Sequence, residues 1–288
     1  MTMSGVTLPT LALVALAIGV LGLVASGHFR WIASTQALIG ELEAARLPAT
    51  AACYDSRELE GLPAPVQRYF RAALKDGQPI VTAATIELRG SFNLSPTGER
   101  WKPFTSMQRA VTHRPGFVWD GHVSIAPGIA VHVHDAYIAG VGILKPSVMG
   151  LYALADVRGA GEIARDELMR YFAEAAWYPT ALLPSQGVRW EAVDDRSAKA
   201  TLNDAALSVT MLVAFDSAGM IESSRFAARG AQNKDKSGPT PWEGRWSDYQ
   251  ERNGMRLPMT GEAAWLPASG RKLYFRGSVT SLVHEVSR

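Results

Sequence analysis

The chain begins with an apolar run and then settles into two periodicities. Val6–Gly27 carries no charged side chain, and Leu11–Val24 consists only of Leu, Ala, Val, Ile and Gly. As a helix rising about 1.5 Å per residue, this run spans roughly 33 Å, enough for the hydrocarbon core of a bilayer. Arg30 and Trp31 suit the interface that follows. A cleaved signal peptide would want a basic leading region, which is absent, and Val24-Ala25-Ser26 matches a cleavage site only loosely, so an uncleaved anchor is expected. Ile32–Leu47 reads as a short helix ended by Pro48. Behind Leu62-Pro63-Ala64-Pro65, the residues Val66, Tyr69, Phe70, Ala73 and Leu74 recur at helical spacing and predict a second, amphipathic helix.

From Ile80 the period becomes two. Ile80, Thr82, Ala84, Ile86, Leu88, Phe92 and Leu94 share one face, and Glu87, Arg89 and Asn93 the other. That pattern predicts a long half-buried strand. The alternation returns in Phe117, Trp119, Val123 and Ile125, in Val209–Phe215, in Leu257–Trp265 and in Leu273–Val283. Turn signals such as Pro127-Gly128, Ala218-Gly219 and Asn253-Gly254 separate about ten or eleven strands, mostly joined as hairpins. One helix interrupts them, with Leu168, Tyr171, Phe172 and Ala175 as its apolar stripe. Gly230–Pro241 reads as an exposed loop. The prediction is an α+β fold, mainly β. It comprises a transmembrane anchor (1–30), a helical juxtamembrane linker (31–78) and a curved antiparallel sheet or partial barrel (79–288) with an inserted helix (163–177).

Composition sharpens this picture. The mean hydropathy of +0.00 averages two unlike parts. No Asp, Glu, Lys or Arg precedes Arg30, so all 29 basic and 27 acidic side chains fall in the remainder. A polytopic transporter, a disulfide-rich module and a disordered chain are excluded. A net charge of +2 makes no electrostatic case for nucleic acid. Cys53 is the single cysteine and reads as a free thiol in the linker.

Candidate chemistry is sparse. His122, His132 and His134 lie on two neighbouring strands, and register decides their meaning. A two-residue turn at Pro127-Gly128 sets Val123 against His132. A three-residue turn sets Val131 or Val133 there and gathers the three histidines with Asp120 on one face, at metal-ligand spacing. The latter fits the apolar pattern better but turns the cluster to solvent, so unliganded surface histidines are expected. Gly159-Ala160-Gly161-Glu162-Ile163-Ala164 fits a dinucleotide motif, yet its neighbours look antiparallel and its first helical turn is acidic, which favours a plain helix start. Glu167, Arg170 and Glu174 form a charge row that reads as a solvated helix face. No cofactor, metal or catalytic signature is expected.

Several phrases carry a resemblance. They are Leu62-Pro63-Ala64-Pro65-Val66-Gln67-Arg68-Tyr69, Pro115-Gly116-Phe117-Val118-Trp119, Arg170–Pro184, Val188–Asp195 and Pro241-Trp242-Glu243-Gly244, with Asp135 in Asp135-Ala136-Tyr137. The chain resembles an uncharacterised bacterial family, over most of residues 62–284, and the resemblance implies no known activity. More loosely, the helix-and-curved-sheet layout is similar to periplasmic lipoprotein carriers, which implies a cavity for acyl chains. The same similarity implies an extracytoplasmic domain, against a faint opposite bias from Arg30 and Arg46.

The expectation is a single-pass membrane protein that binds a lipid or other apolar ligand. Trp119, Trp190 and Trp265 would line the cavity, and Trp177 and Tyr178 would cover its mouth. Asp135, Arg170 and Glu174 would orient a polar head or hold the helix. Two alternatives stay open. One is a scaffold whose aromatics only fill the core; the other is an envelope enzyme with Asp135 or Glu174 as general base.

Overall fold

The computed structural model describes residues 8–49, 51–95, 98–229 and 240–287, so most of the loop expected at Gly230–Pro241 lies outside it. Helix α1 (Leu8–Ala44) runs without a break through residue 30, where the sequence suggests a linker. Its first half exposes Leu11, Leu13, Leu16, Ile18, Leu21 and Leu23 on every side. This segment is long and apolar enough to cross a membrane. Its second half buries Trp31, Thr35, Leu38 and Leu42.

The strands form two meanders. The first comprises β1 (Val81–Asn93), β2 (Trp101–Val111), β3 (Gly116–Ala126), β4 (Ile129–Ile138), β5 (Val141–Val148), β6 (Tyr152–Ala153) and β7 (Val157–Gly159). The second comprises β8 (Arg189–Asp194), β9 (Ser197–Asp204), β10 (Leu207–Phe215), β11 (Ile221–Arg229), β12 (Thr240–Arg252), β13 (Met255–Trp265) and β14 (Lys272–Val286). Antiparallel pairing of β1 with β14 joins them into one 14-stranded sheet that does not close. The count exceeds the expected ten or eleven partly because β6 and β7 are 2 and 3 residues long, too short to alternate visibly. Asn253 (φ 51°) and Gly254 (φ 78°) make the left-handed two-residue turn between β12 and β13 that an Asn-Gly pair favours.

The sheet curls strongly. Tyr137 on β4 donates its hydroxyl hydrogen to Asp204 at the end of β9, although eight strands separate these in sheet order. Glycines make room for the bend and for the rings above it. Gly90, Gly277 and Gly261 stand opposite one another on β1, β14 and β13. A Cβ on Gly90 would meet the Arg276 carbonyl oxygen at 1.9 Å.

Helices α2 (Ala64–Ala73) and α3 (Glu162–Glu174) fill the concave side, with short 3-10 turns following α3 to Gln186. Pro63 and Pro65 start α2, where their missing N–H groups cost nothing. Its Val66, Tyr69, Phe70 and Ala73 join Leu168, Phe172, Val213, Phe215 and Leu257 in the main core.

A second, smaller core lies on the convex face. Leu38 and Leu42 of α1 pack there on Ala83, Val111, Val118, Ala136, Ile138 and Ile143. Strand β1 is therefore buried on both faces over its first half, not half-buried.

Candidate functional site

The helices leave part of the concavity unfilled. A cavity of about 600 Å3 remains, within the usual range for small-molecule sites. Its wall is mostly apolar: Phe92, Trp119, Val123, Val131, Val133, Leu144, Trp177, Trp242, Trp246 and Phe275. Indoles lie flat over glycines. A Cβ on Gly121 would stand 1.9 Å from the Trp119 ring, and one on Gly261 would stand 2.9 Å from the Trp246 ring. Trp177 Nε1 donates to Pro258 O at 3.0 Å, which fixes that ring in the wall.

One side of the wall is ionic. Arg170 pairs with Asp135, and its Nε donates to Glu174 Oε1 at 2.8 Å. Gln108 Nε2 donates to Glu174 Oε2 at 2.8 Å. The Arg170 guanidinium also lies 5.0 Å from the Phe117 ring centroid and 4.9 Å from that of Trp119. One turn earlier on α3, Glu167 is fully buried. Burial first, and then the Asp135 charge, push its carboxyl well above the usual range, so the protonated form is favoured. The expectation of a solvated charge row is corrected: these side chains face the curved sheet, because the opposite stripe of α3 is not its only buried one.

Arg229, at the end of β11, is buried on the same wall. Its guanidinium lies 5.2 Å from the Trp242 ring centroid, and Nη2 approaches Glu167 Oε1 only to 3.8 Å. Three wall residues carry N–H groups without a hydrogen-bond partner among the described residues: Arg229 Nε, Trp119 Nε1 and Trp246 Nε1. These nitrogens are themselves buried, and the cationic side chain of Arg229 is what this side of the wall brings to the cavity.

The histidines take the pairing expected of a three-residue turn, although the turn itself is the two-residue Pro127-Gly128 between paired Ala126 and Ile129, and a bulge at Ile125 shifts the register. Val123 pairs with Val131, His122 with His132 and Asp120 with His134. The cluster does not face solvent as expected. Helix α1 covers it, and His132 and His134 are buried. Trp31 Nε1 donates to Asp120 Oδ1 at 2.9 Å, and Thr35 Oγ1 lies 2.7 Å from His134 Nε2. Burial chiefly lowers the pKa of His134, to about 4. Among the described residues, no group of three or more His, Cys, Asp or Glu is arranged to hold a metal.

Residues 60–284 match the model of a family of unknown function, DUF6920. The chain belongs to that family. No curated protein matches it. Among solved structures it is similar to a LolA superfamily protein of Nitrosomonas europaea, at 10% identity and a TM-score of 0.31, covering 74% of this chain and 90% of the other. A porin-like protein of Bacteroides uniformis gives 7% identity and a TM-score of 0.24, covering 72% and 96%. At these scores neither likeness supports an argument about function.

Within this member of the family, five residues singled out from sequence meet on one cavity: Trp119, Asp135, Arg170, Glu174 and Trp177. Three others stand elsewhere. Tyr178 is fully buried, its hydroxyl donating to Tyr171 O at 2.8 Å, so it covers no mouth. Trp190 donates to Leu182 O at 3.0 Å and packs on Phe70 and Phe215, in the solid part of the core. Trp265 stacks on Tyr274, and only Tyr274 reaches the cavity. Arg229, Trp242 and Trp246 were not singled out for it. Alternation along β12 places Trp242, Gly244 and Trp246 on one face, a signal that was available.

Proposed function

We propose that the chain is a single-pass, membrane-anchored binding protein that holds an apolar ligand with an oxygen-bearing, acidic head in the concave cavity. The observation that carries this reading is the cavity itself. It is wide and apolar, and the core beside it is solid, so incomplete packing of the whole interior does not account for it. The acidic head follows from Arg229, a buried cation with Nε unpartnered among the described residues. A buried guanidinium without full hydrogen bonding is costly, and a ligand carboxylate or phosphate would relieve that cost. The anchor follows from the exposed apolar half of α1, which has no protein surface against it. Asp135 and Glu174 are both engaged by Arg170, which suits holding a cation in place.

Native mass spectrometry of the full chain in detergent, followed by organic extraction, tests the reading. The expected result is a co-purifying amphiphile that a pyrene-labelled fatty acid displaces, with the neutral methyl ester of the same probe binding more weakly. A chain that emerges empty and takes up neither probe overturns it.

A further inference from the structure

The cavity and the apolar helix share one end of the sheet. Strand register places the Pro127-Gly128 turn, residues 149–151, the end of β1 and the start of β14 at that end. Helix α1 crosses the convex face lengthwise. Leu47 N, just beyond the helix, donates to His113 O at the far end of the sheet. Gly27 meets Met149 and Leu151 at the near end, where a Cβ would stand 2.6 Å from the Met149 carbonyl oxygen. The apolar half of α1 therefore projects past the near end, which is also where the cavity opens. Its exposed wall residues are Leu94 and Leu154, at 45% and 54% of full exposure, flanked by Ile129 at 43% and Tyr152 at 70%.

The far end is different. Its turns include Thr112–Pro115, Asp194–Arg196, Asp216–Gly219 and Glu251–Gly254, all with polar residues, beside the short Ala139-Gly140 turn. Near the mouth the exposed charges are Arg30, Arg100, Arg271 and Lys272 against Glu99 and Asp156, a basic excess. Anionic lipid phosphates would meet that side favourably.

We propose that the near end of the domain is seated on a bilayer, with Leu94, Ile129, Tyr152 and Leu154 in contact with lipid, so that the cavity opens onto the membrane. The inference rests on the reading of α1 as an anchor. An amphiphile then passes between bilayer and cavity without exposing its chain to water, the step that aqueous release makes slow.

The experiment uses the full chain, with Cys53→Ser, reconstituted in vesicles of phosphatidylcholine and phosphatidylglycerol. Single-cysteine variants Leu154→Cys and Ile129→Cys carry an NBD label, and Val193→Cys, exposed near a far-end turn, serves as the reference. Blue-shifted emission at 154 and 129, quenched by lipids with spin labels on their acyl chains, supports the proposal when position 193 stays unquenched. Water-like, unquenched emission at 154 and 129 in chains that float with the vesicles overturns it. Retained ligand is measured on the same samples. A rim in lipid with no retained ligand overturns the binding function and leaves the seating intact; chains that do not float overturn the anchor and the seating together.

Discussion

Trp31 lies flat on His134, with ring centroids 3.8 Å apart and planes 12° apart. This contact ties the N-terminal helix to the sheet, and it carries a titratable group. Burial is the largest influence on His134; Lys145, His122 and His132 lower its pKa further, while Asp120 acts to raise it. The result, about 4, lies below the ordinary value near 6.5. Between those values the unfolded chain binds a proton that the folded chain does not. Stability from this site is therefore full above about pH 6.5 and is lost as pH falls towards 4, by up to about 3 kcal/mol. His132 shifts in the same direction. Hydrogen exchange of residues 31–44, corrected for intrinsic rates, is expected to be faster at low pH, and His134→Gln is expected to flatten that dependence. Exchange that stays unchanged on acidification refutes the account.

Removing the other ring tests the same junction without titration. Trp31→Ala deletes the stack and the donor to Asp120 Oδ1. Truncating a buried Trp costs about 3–5 kcal/mol. The loss is expected to fall on the docking of α1, because Leu38 and Leu42 belong to a core separate from the concave one. Limited proteolysis is expected to cut within residues 31–49 while the sheet survives. Simultaneous cleavage throughout the sheet would contradict this separation.

Arg170 has the opposite role, joining groups that repel when it is absent. Arg170→Met leaves Asp135 and Glu174 without their cation and Glu167 nearby. Removing one partner of a buried ionic set costs about 3–5 kcal/mol. Urea midpoints are expected to fall accordingly, and Asp135→Asn with Glu174→Gln in the same chain is expected to recover part of the loss. Arg170→Lys is expected to restore little, since an ammonium cannot reproduce the fork that meets both carboxylates. No recovery in the triple variant would argue against the electrostatic cause.

The sheet was legible because its strands alternate cleanly and its hairpins carry Pro-Gly and Asn-Gly pairs. The inserted helix was legible from Leu168, Tyr171 and Phe172. What the one-dimensional pattern hid was burial from a second direction. His134 and Ala83 stand at outward positions of the alternation, and only the packing of α1 on the convex face buries them. Glu167, Arg170 and Glu174 have the spacing of a solvated row, and the curl of the sheet brings them against it. The same limit applies to the tryptophans. Trp119 and Trp190 are both large inward residues on strands, and only the third dimension separates a cavity wall from a packed interior.

Gly261 is where that distinction is tested most directly. A Cβ there would stand 2.9 Å from Trp246 Cζ3 and 3.5 Å from Trp177 Cζ2. Gly261→Val therefore displaces the Trp246 indole, and the cavity is the open space beside it. The stability cost is expected to be about 1–3 kcal/mol, as for other overpacked sites. Co-purifying amphiphile is expected to fall well below the wild-type amount. Adding Trp246→Ala removes the clashing ring and is expected to restore loading even though the chain is less stable. That sign reversal separates a blocked cavity from a damaged fold: if loading tracked stability across the three variants, the indole would not be what fills the site.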